Sequence, residues 1–147
     1  MAPRKHTSPR GLELIRSHES FSPTVYRCPA GKPSIGYGHV VRESDRIYPP
    51  ISKTQGEMLL ARDLEPLEIY LSAVFPDLTQ NEFDALASFC FNVGLRAFET
   101  STMFRMLKAG DKTGAANEFG RWIHGGGKEL PGLVRRRADE RDLFLGR

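Results

Sequence analysis

The stretch LTQNEFDALASFCFNVG, from Leu78 to Gly94, constrains the fold more than any other. Thr79 and Glu82 stand at the spacing where a helix N-cap and its third residue exchange hydrogen bonds, and Gly94 supplies a C-terminal stop. Between them the chain is apolar nearly all round from Leu86 to Val93. A helix without a polar face must be wrapped by other elements, so the rest of the chain has to form a shell around it. With 147 residues, 39% of them hydrophobic, 9 Phe and 1 Trp, the chain can do this as one domain spanning 1–147.

The shell is legible from caps and periods. Ser8 followed by Pro9 reads as an N-cap with proline at the first helical position, after a short tail over about residues 1–10. Leu12, Ile15 and Glu19 then share one helical face, with Glu19 ending the helix toward whatever it packs on. From Ser22 to His39 the helical period stops. TVYRC is β-prone, PAGKP is turn chemistry and SIGYGHVV ends β-branched, so the segment reads as a short antiparallel hairpin. SDRIYPPIS is a proline-broken loop. Ser52 and Gln55 form a capping box for a long helix to about Phe75, which Pro66 should kink or split. Further helices are expected from near Ser101, Asp111 and Pro131, with HGGGKEL at 124–130 as a flexible loop. The fold class is α+β: a small N-terminal β-hairpin lobe packed on a mostly helical C-terminal lobe.

Charge narrows the partners only a little. A net charge of +3 and a pI near 9.0 suit an anionic partner, whether nucleic acid, lipid headgroups or wall polymers. Nucleic acid is the weakest of these, because basic and acidic residues are interleaved and no recognition motif accompanies them. The run RRRADER, 135–141, reads as a solvated face with internal ion pairs, or alternatively as a wall-binding basic patch. Cys28 and Cys90 form no CxxC, so neither a disulfide framework nor a zinc knuckle is expected. MAPRKHTSPR has no apolar core of a signal peptide, and no run approaches the ~18 apolar residues of a membrane span. The sequence as given thus shows no export signal or anchor.

Candidate chemistry concentrates in HESFSPTVYRCPAGKPSIGYGH, residues 18–39. An inward-facing carboxyl at a helix end, Glu19, is of the kind that can keep a proton and hand it to a leaving oxygen. The hairpin that follows can bring Cys28 and Ser34 toward the same cleft, although by spacing alone an exposed helix end beside a half-buried thiol explains them as well. His18, Cys28 and His39 match no common zinc-ligand spacing. His39 reads as a hydrogen-bonding residue inside the N-terminal lobe, and Gly36 and Gly38 as turn residues that also permit close backbone approach. Trp122 is a packing anchor or a sugar-stacking platform, and Cys90 a small buried hydrophobe.

Taken together, Glu19, eight residues, Cys28, five residues, Ser34 and then IGYGH resemble the phage lysozyme family, glycoside hydrolase family 24, whose motif is E-x8-[D/C]-x5-T followed by a G-x-G-H turn. NEFDALASFCFNVGLRAFETSTMFRML resembles that family's central helix and the one after it, and RWIHGGGKELPGLVRRRADERDLFL its C-terminal signature. The resemblance runs from about Gly11 to Leu145. It implies a lysozyme-like fold and inverting hydrolysis of the β-1,4 bond between N-acetylmuramic acid and N-acetylglucosamine in peptidoglycan, without cofactor or metal. It carries Glu19 to the general acid, and Cys28 and Ser34 to the positions usually held by aspartate and threonine, where they hold the attacking water. Phe91 and Asn92 fall where the family lines its cleft and are carried over as sugar contacts, with Phe91 equally readable as core, while Gly38 lets the backbone approach the sugar.

A cysteine at 28 is a weaker base than aspartate, a positioned polar atom or, as the third alternative, a covalent nucleophile, although cysteine is not among the usual glycosidase nucleophiles. Serine at 34 keeps the hydroxyl but loses the methyl that restricts its rotamer. The same reading implies an endolysin held in the host cytoplasm until a separate holin-type membrane pore releases it to the wall, acting as a monomer. The alternatives are a lysozyme-fold module that binds wall glycan without cutting it, and a zinc amidase or peptidase, for which the ligand set is missing.

Overall fold

The computed structural model describes residues 3–147. Met1 and Ala2, the start of the expected tail, lie outside the described residues. The rest of that segment is tied down: the Lys5 amide donates to Ser72 Oγ, the Thr7 amide to Glu68 and the Ser8 amide to Asp84, at 2.8–2.9 Å. Ser8 then caps helix α1 (Pro9–Glu19). Gly11 is required where α1 meets the central helix, because a Cβ there would lie 2.7 Å from the Asp84 carboxyl carbon.

The expected hairpin is a three-stranded antiparallel sheet, β1 (Ser22–Arg27), β2 (Pro33–Gly36) and β3 (His39–Val40), in that order. The third strand exists because Gly36 and Gly38 take φ of +67° and +84°, reversing the chain within three residues so that His39 pairs back on Ile35. Tyr26 of β1 stands opposite Ser34 of β2.

The capping box at Ser52 and Gln55 opens α2 (Lys53–Val74), which Pro66 does not split. Pro66 and Arg62, the residue whose carbonyl loses its partner, both lie on the exposed side, where water can satisfy that oxygen. Leu60, Leu64, Leu67 and Leu71 meanwhile anchor the helix on both sides of the proline. The second capping box, at Thr79 and Glu82, opens α3 (Gln80–Val93), in which every residue from Glu82 to Cys90 is buried. This is the wrapped central helix, although its buried stretch lies further toward the N-terminus than Leu86–Val93.

Around it lie α4 (Leu95–Glu99), which has no side-chain cap, α5 (Thr102–Lys108) capped by Ser101, and α6 (Lys112–Glu118) capped by Asp111. A 3-10 turn at Phe119–Arg121 follows. The glycine segment at 124–130 is not a plain loop. His124–Gly125 (β4) and Lys128–Glu129 (β5) pair across Gly126 and Gly127, both at positive φ, as a two-residue hairpin requires. The last helix, α7 (Pro131–Phe144), packs along α3. Phe89 centres the helical lobe, with Phe98, Phe119 and Trp122 edge-on at centroid distances of 6.3, 5.4 and 5.4 Å. Trp122 is therefore a packing anchor.

The reading of RRRADER as a solvated face needs correction. Arg136, Arg137 and Glu140 are 4%, 1% and 0% exposed, whereas Arg135 and Asp139 do face solvent. The cause is the helical spacing of 136, 137 and 140 with the buried Leu143 and Phe144, which puts all five on the buried face of α7. The buried arginines are also lost to any basic surface patch.

Candidate active site

The sheet lobe and the helical lobe meet at a cleft of about 660 Å³, lined by Glu19, Cys28, Ser34, Gly38, Phe91 and Asn92 together with Tyr26, Arg42 and Asp63. All six site residues expected from the sequence thus face one space. A smaller concavity of about 430 Å³ lies between the 44–51 loop and the start of α2. It contains none of these six, so the larger cleft is the candidate site.

Each side chain is delivered by a local feature. Glu19 is the last residue of α1, and Ser20 after it takes φ +58° and ψ 156°, a conformation rare outside glycine that costs about 1–3 kcal/mol and turns the chain abruptly into β1. Glu19 Oε2 accepts a hydrogen bond from Arg136 Nη1 at 2.7 Å. Its Oε1 faces Gly38, where a Cβ would approach to 2.9 Å. Glycine at 38 therefore serves the carboxyl as well as the turn.

Cys28 starts the β1–β2 turn, its carbonyl accepting from the Gly31 amide at 2.7 Å and its amide donating to the Lys32 carbonyl at 3.0 Å. Hydrogen bonding from the Lys32 backbone, helped by Ala30 and the Ser34 hydroxyl, holds its thiol below the ordinary value against a partial burial that pushes the other way. Cys90, fully enclosed in α3, is pushed well above that value by burial. Iodoacetamide should therefore alkylate Cys28 with a pH midpoint below that of an ordinary thiol while sparing Cys90 in the folded protein. Peptide mass spectrometry over a pH series measures both, and a Cys28 midpoint at or above the ordinary thiol value would remove its electrostatic advantage.

Ser34 is buried and donates to the Lys32 carbonyl at 3.2 Å. Tyr26 is held above its usual range by burial first and then by Glu19 and Cys28, so near neutrality it is a phenol able to donate. The period-2 spacing from Cys28 within TVYRC could have marked Tyr26 as a cleft residue. Asp63, on the long α2, and Arg136, on α7, carried no such signal.

His39 lies outside the cleft lining. Its Nδ1 meets Asp63 of α2 at 2.9 Å and its Nε2 meets Asp45 at 2.8 Å, which pins the sheet lobe to the helix. Burial pushes its pKa down, but the two carboxylates outweigh it and raise the imidazole above its ordinary value. His18 pairs with Asp139 at 2.8 Å. Among the described residues no three His, Cys, Asp or Glu side chains gather as metal ligands, and His18, Cys28 and His39 form no common site.

Residues 16–140 match the family model described as phage lysozyme. The chain belongs to the phage lysozyme family. An endolysin of Acyrthosiphon pisum secondary endosymbiont phage 1 is 38% identical over 144 residues, covering 95% of this chain and 97% of that protein. The endolysin of Bacillus phage B103 is 41% identical over 143 residues, covering 94% of this chain but only 53% of the relative, so the chain spans about half the length of that protein. Among solved structures, the muramidase domain of SpmX from Asticaccaulis excentricus superposes with a TM-score of 0.86 at 38% identity, covering 97% of this lysozyme-family chain and 99% of that one. The lysozyme-like α+β fold expected from the sequence is the fold present.

Proposed function

We propose that this phage lysozyme family member is an endolysin muramidase, a glycoside hydrolase that cuts peptidoglycan between N-acetylmuramic acid and N-acetylglucosamine, acting as a single catalytic domain over 1–147. The observation that carries the reading is the convergence of Glu19, Cys28 and Ser34 on the cleft between the lobes. In this scheme Glu19 protonates the glycosidic oxygen. Cys28 and Ser34 hold and polarise a water on the opposite face of the sugar, which attacks an oxocarbenium-like centre with inversion. Phe91 and Asn92 contact the glycan, and Gly38 lets the backbone come close to it.

The depressed Cys28 thiol supports a larger part for it than an ordinary cysteine would play, since a greater fraction is thiolate near neutrality. Mass spectrometry of fragments released from purified peptidoglycan tests the function. New reducing N-acetylmuramic acid ends are expected; binding without release would point to a glycan-binding module, and cut peptides on intact glycan to an amidase or peptidase.

Export belongs to the same proposal. No helix of the described residues is long and apolar enough to cross a membrane. The route we propose is a separate holin-type pore, with the protein monomeric in the host cytoplasm until release. Expression of the chain alone should leave cells intact until a pore is supplied, and prompt lysis without one would refute the route.

A further inference from the structure

Glu140 is fully buried on α7 and belongs to none of the groups that face the cleft. Its Oε2 accepts from Ser88 Oγ of α3 at 2.5 Å and from Arg136 Nε at 3.2 Å. The same oxygen accepts from Arg137 Nη2 at 3.3 Å, while Oε1 lies 2.7 Å from Arg137 Nε as an ion contact rather than an aligned hydrogen bond. One carboxylate thus holds two guanidiniums. Each of them reaches a different cleft residue: Arg136 Nη1 donates to Glu19 at 2.7 Å, and Arg137 Nη2 donates to Asn92 Oδ1 at 2.9 Å.

The side chains are otherwise fixed as well. Arg136 Nη2 donates to the Ser88 carbonyl at 3.2 Å, and the Arg137 guanidinium lies 5.0 Å from the Phe89 ring centre. A guanidinium is a rigid planar fork, so fixing one edge fixes the direction in which the other edge donates. Turning either arginine at Glu140 would therefore turn the carboxyl or the amide that it holds.

We infer that Glu140 is a positioning residue shared by two residues of the site, orienting the Glu19 carboxyl through Arg136 and the Asn92 amide through Arg137. This rests on the muramidase reading of the cleft. General acid catalysis depends on sub-ångström placement of the donor, so a loosened Glu19 lowers kcat, while a loosened Asn92 raises KM.

The test is a pair of double-mutant cycles on soluble glycan-strand fragments, made with the full chain. Glu140→Gln keeps the volume and removes the charge. It should lower kcat and raise KM together, each by about tenfold, with fold confirmed by circular dichroism at the assay temperature. Its KM effect should largely vanish in an Asn92→Ala background, and its kcat effect in an Arg136→Met background. Effects that simply multiply in both cycles would overturn the inference and leave Glu140 a stabilising residue.

Should Glu140→Gln fail to fold, Ser88→Ala removes the shortest bond to Glu140 with little change of volume. A several-fold fall in kcat is expected there, and unchanged kcat and KM would equally overturn the proposal. Wild-type protein that releases no reducing ends would sink the muramidase reading itself, an outcome distinct from active wild type with multiplicative cycles.

Discussion

Replacing Glu19 with Gln should slow release of reducing ends from peptidoglycan by about 10²–10⁴-fold, the span that general acid catalysis contributes. The substitution is nearly isosteric, and the amide oxygen can still accept from Arg136, so the network behind the cleft stays in place. What disappears is the proton for the departing sugar oxygen. Cleft shape is preserved, so binding to insoluble peptidoglycan in pull-down should persist. Cys28→Ala should cost less, because Ser34 and a second water can partly hold the nucleophile, whereas Cys28→Asp restores the residue usual in the family motif and should retain activity. Undiminished fragment release by a folded Glu19→Gln protein would end the assignment of Glu19 as acid.

The order of sensitivity also bears on the role of the thiol. A greater loss with Cys28→Ala than with Glu19→Gln would indicate that activation of water, rather than departure of the leaving group, limits the reaction. The alkylation midpoint of Cys28 then becomes the relevant pH, since its hydrogen bonds from the β1–β2 turn set how much thiolate is present.

Local chemistry explains which parts of this molecule could be read from sequence. Ser8, Ser52 and Thr79 were legible as helix starts because a cap is a short-range transaction between a side chain and an amide three residues on. The cleft residues on α1 and the hairpin were legible because a family motif and a β period coincide there. Four features were not. β3 depends on a reversal at Gly36–Gly38 whose hand is set by backbone angles. Continuity of α2 through Pro66 depends on which side of the helix meets solvent, a tertiary fact that overrides propensity. The β4–β5 ribbon is too short to show a period, although two adjacent glycines between pairing residues were its signature.

The fourth, burial of Arg136, Arg137 and Glu140, was missed for a sharper reason. Charged residues were read as facing water, yet their spacing with Leu143 and Phe144 places them on the core face. A helix face that is charged where it should be apolar marks a polar layer needed by something else, here the two cleft residues Glu19 and Asn92.

That layer gives the second large effect. Arg137→Met leaves Glu140 buried with one fewer cation, and takes the donor from Asn92 Oδ1 and from the Trp122 carbonyl, 3.4 Å from Nη1. Removing one member of a buried ion network costs about 3–5 kcal/mol, because the remaining charge keeps its desolvation penalty without its partner. Urea denaturation should report a loss of that size, against a change within about 0.5 kcal/mol for the exposed Arg135→Met. A loss under about 1 kcal/mol would mean that Arg136 alone suffices to neutralise Glu140. The complementary experiment removes the whole set: Arg136→Met, Arg137→Met and Glu140→Leu together leave no stranded charge in the network except Glu19, which borders the cleft and can be hydrated. Such a protein should recover most of the stability lost in Arg137→Met, as apolar replacement of complete buried ion sets often does. Its muramidase activity should nevertheless stay low, because nothing then orients Glu19 and Asn92. Recovered stability with lost turnover would establish that the charged core between α3 and α7 is kept for the cleft it supports rather than for the fold.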